Sequence, residues 1–525
     1  MTAPKVFVIC LILGYGLAIN GSAKPVKLSP ADPVKDQWFG WSVAVDDKHA
    51  IVGSPKAHDR GANAGAVYPY VRRGNTWKPA EPVKIFPIRS AERDQFGSSV
   101  ALRGDTTMIG APGNEKATGA VFVFTYNPAA QKWQQKAILT ARDKATGDQF
   151  GWSVAIDGDA AIIGARFDDD HGKSSGSAYI FVWNGETWNQ QAKLTADDGA
   201  ASDNFGQFVS VSEDFAIVGA PKHAHAGLKQ SGAAYIFGRN GETWTQQAKL
   251  TENDPGTKNQ FGVSVSISGD VAIVGVPFND GIATDTGAAY VFNRSGDAWI
   301  QHAKLTAKDA DEQDQFGNAV SIFHNIALIG AKFDDELGND AGAAYSFLRE
   351  GDTWIQKKKA TIEGKDMQPD IRVHLGISVS IRSKYAIAGG EVADGDIGAA
   401  YIYDVKRDLD VPYSIEPRPL SVTTLGHLKR TALYQNFPNP FNPETWLPYQ
   451  LSNDVDVAFH IYNVSGHLVR EINLGMQKKG SYLDKRSAAY WDGRDQYGQD
   501  VSSGIYICDF KAGTFRANRK MVILK

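Results

Sequence analysis

One interval recurs through this chain: a Phe-Gly pair followed, thirteen residues after its glycine, by a second glycine. The pairs stand at 39–40, 96–97, 150–151, 205–206, 261–262 and 316–317, and a degenerate Leu375-Gly376 makes a seventh. The second glycines are Gly53, Gly110, Gly164, Gly219, Gly275, Gly330 and Gly389, so even the degraded copy keeps the spacing. Successive copies lie 57, 54, 55, 56, 55 and 59 residues apart. A fixed period of this length with strand-like content marks a propeller or an array of small sheets.

Each repeat predicts four strands. In the third copy residues 153–156 alternate at period two, and Asp157-Gly158-Asp159 has hairpin-turn chemistry. Residues 160–164 return, 178–183 form a third strand, Asn184-Gly185-Glu186 turns, and 188–195 is the fourth. The first two strands carry Ser, Val, Ala, Ile and Gly, whereas the last two bring Tyr, Phe and Trp. This gradient suits wedge-shaped sheets converging on an axis. Trp77, Trp133, Trp188, Trp244, Trp299 and Trp354 share one fourth-strand position, as packing between sheets requires. The seventh copy stops after its third strand, and its missing segment stands at the other end of the chain, in Pro25-Val26-Lys27-Leu28-Ser29. The N-terminal strand therefore completes the last sheet and leaves only short edges.

Outside the repeats the text changes. Residues 1–23 have a basic start at Lys5, an apolar run and small residues before a cleavage point after Ala23, the pattern of a signal peptide. Cys10 lies in that run, so the mature chain keeps one thiol, Cys508, and no internal disulfide. A net charge of −4 argues against a nucleic-acid partner, and no later stretch is long and apolar enough to cross a membrane. Residues 408–432 contain a proline-punctuated linker. From 433 short alternating segments are separated by Ser465-Gly466, Asp492-Gly493, Tyr497-Gly498 and Ala512-Gly513, which suggests a small β-sandwich.

Phe96-Gly97…Gly110-Ala111-Pro112 and Phe205-Gly206…Gly219-Ala220-Pro221 resemble the FG-GAP repeats of the integrin α-subunit propeller. The resemblance covers 25–405 and implies a seven-bladed propeller with an extracellular recognition role. Calcium-binding copies of that family carry an Asp-x-Asp-Gly-x-x-Asp loop where this chain has hairpins such as Asp157-Gly158-Asp159 or Ser268-Gly269-Asp270. A two-residue turn cannot supply six to eight oxygens. No cofactor or metal site is therefore carried over, and Ca2+ is left at most weak contacts with the acidic loops. The tail has Tyr434-Gln-Asn-Phe-Pro-Asn-Pro-Phe-Asn-Pro443, Trp491-Asp492-Gly493-Arg494, Ser503-Gly504-Ile505-Tyr506 and Arg519-Lys520-Met521-Val522. It resembles the C-terminal sorting domain of bacterial type IX secretion and the Ig-like domain of the flagellar hook-capping protein. That resemblance implies export through the secretion machinery to the outer surface or medium.

The expected fold class is thus all-β: a signal peptide (1–23), a seven-bladed FG-GAP propeller closed by an N-terminal strand (24–407), a linker (408–432) and an Ig-like sorting domain (433–525). No catalytic residue is expected. The sequence lacks His-Glu-x-x-His, Gly-x-Ser-x-Gly and a phosphate-binding loop, and Lys222-His223-Ala224-His225 offers too few metal ligands. The acid two residues before Phe-Gly (Asp94, Asp148, Asp203, Asp314, with Asn259 in the fifth copy) reads as a turn residue bonding nearby amides. The turns after strands one and three are short and uniform, and those after two and four are long, acidic and variable. Function concentrates on variable loops held by a rigid scaffold. The expected binding residues are therefore Asp168, Asp169, Asp170, Asp334 and Asp335, exposed on the long-loop face. Two functions follow from this: a binding or adhesion module for an extracellular protein or glycan, or else a secreted enzyme acting on glycans or phosphoesters through its acidic loops.

Overall fold

The computed structural model describes residues 25–361, 372–411, 431–434, 436, 441, 443–482 and 487–523. The expected signal peptide with its cleavage point, residues 412–430 of the expected linker and part of the proline-rich stretch before 443 lie outside the described residues.

In the third copy the alternation becomes strands at Ser153–Asp157, Ala160–Ala165, Ser177–Trp183 and Trp188–Leu194, paired antiparallel in chain order. Asp157 faces Ala160, which leaves Gly158-Asp159 as a two-residue turn. The same meander recurs along the repeats, giving an all-β chain of four-stranded antiparallel sheets consistent with a propeller. The first strand of each sheet touches the first strand of the next. Ser378–Arg382 touches Ser42–Val45 in turn, so this series of contacts returns to its start. The sheet of the seventh copy borrows its fourth strand from the other end of the repeats. Val26–Leu28 lies antiparallel to Ala399–Asp404, with Lys27 opposite Tyr401.

Steric contact explains the thirteen-residue interval. A Cβ on Gly164 would stand 1.9 Å from the carbonyl oxygen of Gly206, the Phe-Gly glycine of the next sheet. The same clash arises from Gly53 onto Gly97 (2.2 Å), from Gly110 onto Gly151 (2.0 Å), and at each later junction through Gly389 onto Gly40 (1.9 Å). The Phe-Gly corner of one sheet thus rests on the bare backbone of its neighbour's second strand. A serine on the first strand secures five of these corners: Ser42 Oγ donates to Gly97 O at 2.8 Å, Ser153 to Gly206 O at 2.9 Å and Ser378 to Gly40 O at 2.8 Å, with Ser99 and Ser264 alike. Each corner Phe (or Leu375) forms a parallel bridge to the glycine before the previous sheet's third strand, and Phe39 bridges Gly398. Phe150 is buried with Tyr179 and Phe181 edge-on at 5.4 and 6.0 Å. Each such ring is worth about 2–3 kcal/mol of burial. The fourth-strand tryptophans pack on the preceding sheet: Trp133 on His49 (5.1 Å), Trp299 on Phe215 (5.7 Å), Trp77 on Tyr385 (5.3 Å).

The packed repeat region runs past its expected boundary at 407. Val405, Leu409 and Val411 lie in the core of the last sheet, and Ser346 Oγ donates to Leu409 O at 3.0 Å. The C-terminal region has its own apolar core, centred on Trp491, Phe459, Tyr449 and Phe510. A four-stranded sheet there contains Leu468–Gln477, Val455–Asn463, Gly504–Ala512 and Phe515–Ile523 in spatial order. Smaller sheets of three and two strands contribute the rest of that core. Cys508 is buried in it, and burial pushes its thiol up to about 12.

Gly389→Ala should destabilise the repeat region by more than about 4 kcal/mol, because its Cβ meets backbone that cannot move alone. Gly74, with φ +61° and nothing within 4 Å of its Cβ, should lose only about 1 kcal/mol as Ala. Thermal unfolding of the two variants measures the contrast; equal losses would remove the steric account.

Candidate functional site

The long loops leaving the second strands carry the expected acids, and the structure divides them. Asp169, Asp170 and Asp335 are exposed, whereas Asp168 and Asp334 are 3% and 2% exposed. Asp168 accepts hydrogen bonds from Ser177 Oγ (2.9 Å) and Tyr179 OH (2.8 Å), and Lys193 Nζ lies 3.0 Å away. Asp334 accepts from Tyr345 OH at 2.6 Å and pairs with Lys359 Nζ at 2.8 Å. Both were expected as exposed ligands. They sit inside instead because a tyrosine and a lysine face each other across the third and fourth strands, Tyr179 opposite Lys193 and Tyr345 opposite Lys359, and need an anion between them.

That pairing recurs and spans the sheet junctions. The loop leaving one sheet supplies a second acid to the next sheet's lysine: Asp143 to Lys193 (2.6 Å), Asp198 to Lys249 (2.6 Å), Asp254 to Lys304 (2.6 Å), Asp309 to Lys359 (2.8 Å). Asp32, just after the borrowed strand, does the same for Lys84 at 2.8 Å. Burial works against the Lys193 ammonium, but hydrogen bonds to Asp143, Asp170 and Asp168 outweigh it and raise its pKa. Burial and then Asp168 raise the Tyr179 phenol. In the fourth copy His223 takes the Asp168 position. Its Nδ1 meets Asp203 Oδ2 at 2.8 Å and its Nε2 meets Lys249 Nζ at 2.8 Å. Both ring nitrogens of His223 are thereby engaged within the protein. The second copy replaces the whole set: Phe122 faces Ile138, and Arg89 stands at the Asp143 position. Ile138 is consequently 54% exposed.

The aspartates before Phe-Gly hold their own turns. The side chains of Asp94, Asp148, Asp203 and Asp314 accept from the amide three residues earlier at 2.7, 2.6, 2.9 and 2.7 Å. Burial pushes Asp314 up to about 6, helped by the charges of Asp334 and Asp335.

The two ends of the space enclosed by the first strands differ. At the short-turn end Asp157 Oδ1 receives Arg103 at 3.2 Å and Arg382 at 3.0 Å, and Asp157 Oδ2 accepts the Glu213 amide at 3.1 Å. Arg382 belongs to the seventh copy and Asp157 to the third, so this bond links distant sheets across that end. Burial, and then Arg382, lowers the Arg103 pKa. At the long-loop end, aromatic rings and cations meet. The Trp38 and Trp41 rings stack at 4.9 Å, and Lys56 Nζ sits 3.4 Å over Trp38. The Arg166 guanidinium lies 3.1 Å over Trp152 and 4.4 Å over Phe167. Lys332 Nζ lies 4.6 Å from the Phe333 ring, beside the His374–Glu391 pair at 3.0 Å.

The FG-GAP repeat family model matches residues 24–70, 80–124, 133–181, 188–237, 244–292 and 299–347, more than half of the chain. The chain belongs to the FG-GAP repeat family. Each matched segment from 133 onward begins on a fourth strand and ends on a third strand, so the family unit straddles a sheet junction. Mouse integrin alpha-7 is 32% identical over 130 residues, which cover 22% of this chain and 11% of that protein. Two solved structures are also similar. One is PorZ of Porphyromonas gingivalis, described as an essential bacterial surface component of the type IX secretion system (TM-score 0.40, 12% identity, 96% of this chain and 61% of that chain). The other is Saccharomyces cerevisiae Sqt1 (TM-score 0.41, 10% identity, 81% and 96%). The chain thus spans about a tenth of the integrin and under two thirds of the PorZ chain.

Among the described residues of this FG-GAP chain, Asp143, Asp168 and Asp170 converge closely enough to hold a metal ion. The Lys193 ammonium bonds all three and stands where a cation would. No helix among the described residues is long and apolar enough to cross a membrane. The sequence reading missed the Asp157 bridge and the ring-stacked cations, since neither belongs to the repeat consensus. The signal lay in departures from it, such as Arg103, Arg382 and Trp152.

Asp168→Ala should cost about 2–3 kcal/mol, because Tyr179 and the half-buried ammonium lose a buried acceptor. Asp169→Ala should stay within about 0.5 kcal/mol. Denaturant titration measures both, and equal values would contradict the division of the two acids.

Proposed function

We propose that this chain is a secreted or surface-displayed binding module: a seven-bladed FG-GAP propeller, closed by its N-terminal strand, that recognises an extracellular protein or glycan with its long-loop face. The observation that supports this most is the asymmetry of the enclosed space. Asp157, Arg103 and Arg382 bridge the short-turn end, while half-exposed rings and cations gather at the other. The buried acids of the long loops are engaged by lysine and tyrosine, which favours recognition over acid–base catalysis on a glycan or phosphoester. On this reading residues 433–525 form an Ig-like unit that serves as the export signal for the type IX machinery, after a signal peptide has taken the chain across the inner membrane. The exposed acids Asp169, Asp170 and Asp335 line the outer part of the binding face.

A blocking experiment tests the module. A polymer attached to a cysteine placed at Ser174, in a long loop, should abolish attachment of the purified chain to cell envelopes. The same polymer at Glu242, in a short turn, should not. Equal effects, or turnover of a glycan or phosphoester, would overturn the reading. Deleting 433–525 should leave the repeats in the periplasm; normal surface levels of the deletion would dismiss the export role.

A further inference from the structure

The charge at the long-loop mouth is opposite to that of the loops around it. The two positions that open each long loop carry Lys56, Arg166, Lys222 and Lys332 in different copies, against a single acid, Glu391. Glu391 is answered by His374 at 3.0 Å. Among the described residues, Lys56, Arg166 and Lys332 form no salt bridge, whereas Lys84, Lys193, Lys249, Lys304 and Lys359 all do. The three unpaired cations lie against aromatic faces instead, at 3.4, 3.1 and 4.6 Å. Arg166 makes one side-chain hydrogen bond, to the neutral Gln149 Oε1 at 2.9 Å. Burial lowers Arg166 to about 10 and also lowers Lys332, against the pull of Glu391. Arg166 and Lys332 have lost water without a carboxylate in direct contact, and an arriving anion would restore that interaction.

Topology puts them on one face. Each stands directly after a second strand, Lys56 beyond His49–Ser54, Arg166 beyond Ala160–Ala165 and Lys332 beyond Ile326–Ala331. Trp41 and Trp152 directly precede first strands, which line the enclosed space. The cations therefore surround the opening in three separate sheets. We propose that this mouth binds an acidic polysaccharide, whose carboxylate or sulfate groups sit on Lys56, Arg166 and Lys332 around the opening. This deepens the proposed recognition role and rests on it. A chain with anions repeated along its length matches cations held apart in a rigid ring. A cationic ligand is disfavoured, because the ring faces already carry the protein's own cations.

The test uses the full mature chain with polygalacturonate and dextran sulfate as probes, beside neutral dextran and poly-L-glutamate. The polyanionic sugars should bind at low salt and weaken as salt rises, and dextran should not bind. Lys56→Gln, Arg166→Gln and Lys332→Gln together should weaken binding at least about tenfold with an unchanged unfolding midpoint. Should the triple variant misfold, Lys56→Glu alone serves, since Lys56 holds no salt bridge. Asp169→Asn with Asp335→Asn should bind the polyanions more tightly, because two carboxylates that repel them from the outer part of the face are removed. The inference is overturned by absence of binding to both polyanions, by unchanged binding of the folded variants, or by tighter binding to poly-L-glutamate than to the sugars. Attachment to envelopes that is blocked by polymer at Ser174 without any binding to polyanions would keep the recognition face and remove this ligand.

Discussion

Everything else in the repeat region depends on how closely one backbone approaches another at the sheet junctions. A carbonyl oxygen from each Phe-Gly corner, or from Leu375-Gly376, sits where a side chain on the neighbour's glycine would have to stand. Only glycine fits, and its place is fixed by the length of one strand, one turn and most of a second strand. The buried phenylalanine beside the corner supplies the free energy, the serine hydroxyl sets the register, and the tryptophan seals the outer edge. Because the junction from Gly389 to Gly40 follows the same rule, the first and last copies meet as any two neighbours do.

The Asp–Tyr–Lys sets are a second layer on this frame. They tie the exit loop of one sheet to the outer strands of the next, and they hold part of the acidic surface in internal ion pairs. A lysine bonded to three carboxylates has no charge left for an anionic ligand, while the set as a whole stays negative. The second copy replaces tyrosine and lysine together, by Phe122 and Ile138, whereas the fourth exchanges only the acid, for His223, and keeps Tyr235 opposite Lys249. Cations with no carboxylate in direct contact are found closer to the axis, resting against rings.

Most of the frame was legible because each structural demand is repeated. The strands of the third copy fall within one residue of their expected ends, and Lys27 lies opposite Tyr401 as a closing strand requires. The candidate site was less legible for a physical reason. Acid content in a loop does not reveal whether a lysine from a strand tens of residues away reaches it, so Asp168 and Asp169 look alike in sequence and differ in burial. The mouth was harder still. Lys56, Arg166 and Lys332 come from different copies and occupy positions that vary, and only the closed geometry brings them to one opening. His223 stands four residues after Gly219, as Asp168 and Asp334 do after Gly164 and Gly330, and joins the same network.

The closing strand offers the most direct measurement of the account. Lys27→Cys with Tyr401→Cys places two thiols opposite each other on paired strands at the two ends of the repeat region. Under mild oxidation the account predicts an intramolecular disulfide in a monomer, formed in the folded state and raising its unfolding midpoint. Failure to form that bond, or its formation only between molecules, would mean that the N-terminal strand does not complete the last sheet, and the proposed ring and recognition face would have to be abandoned.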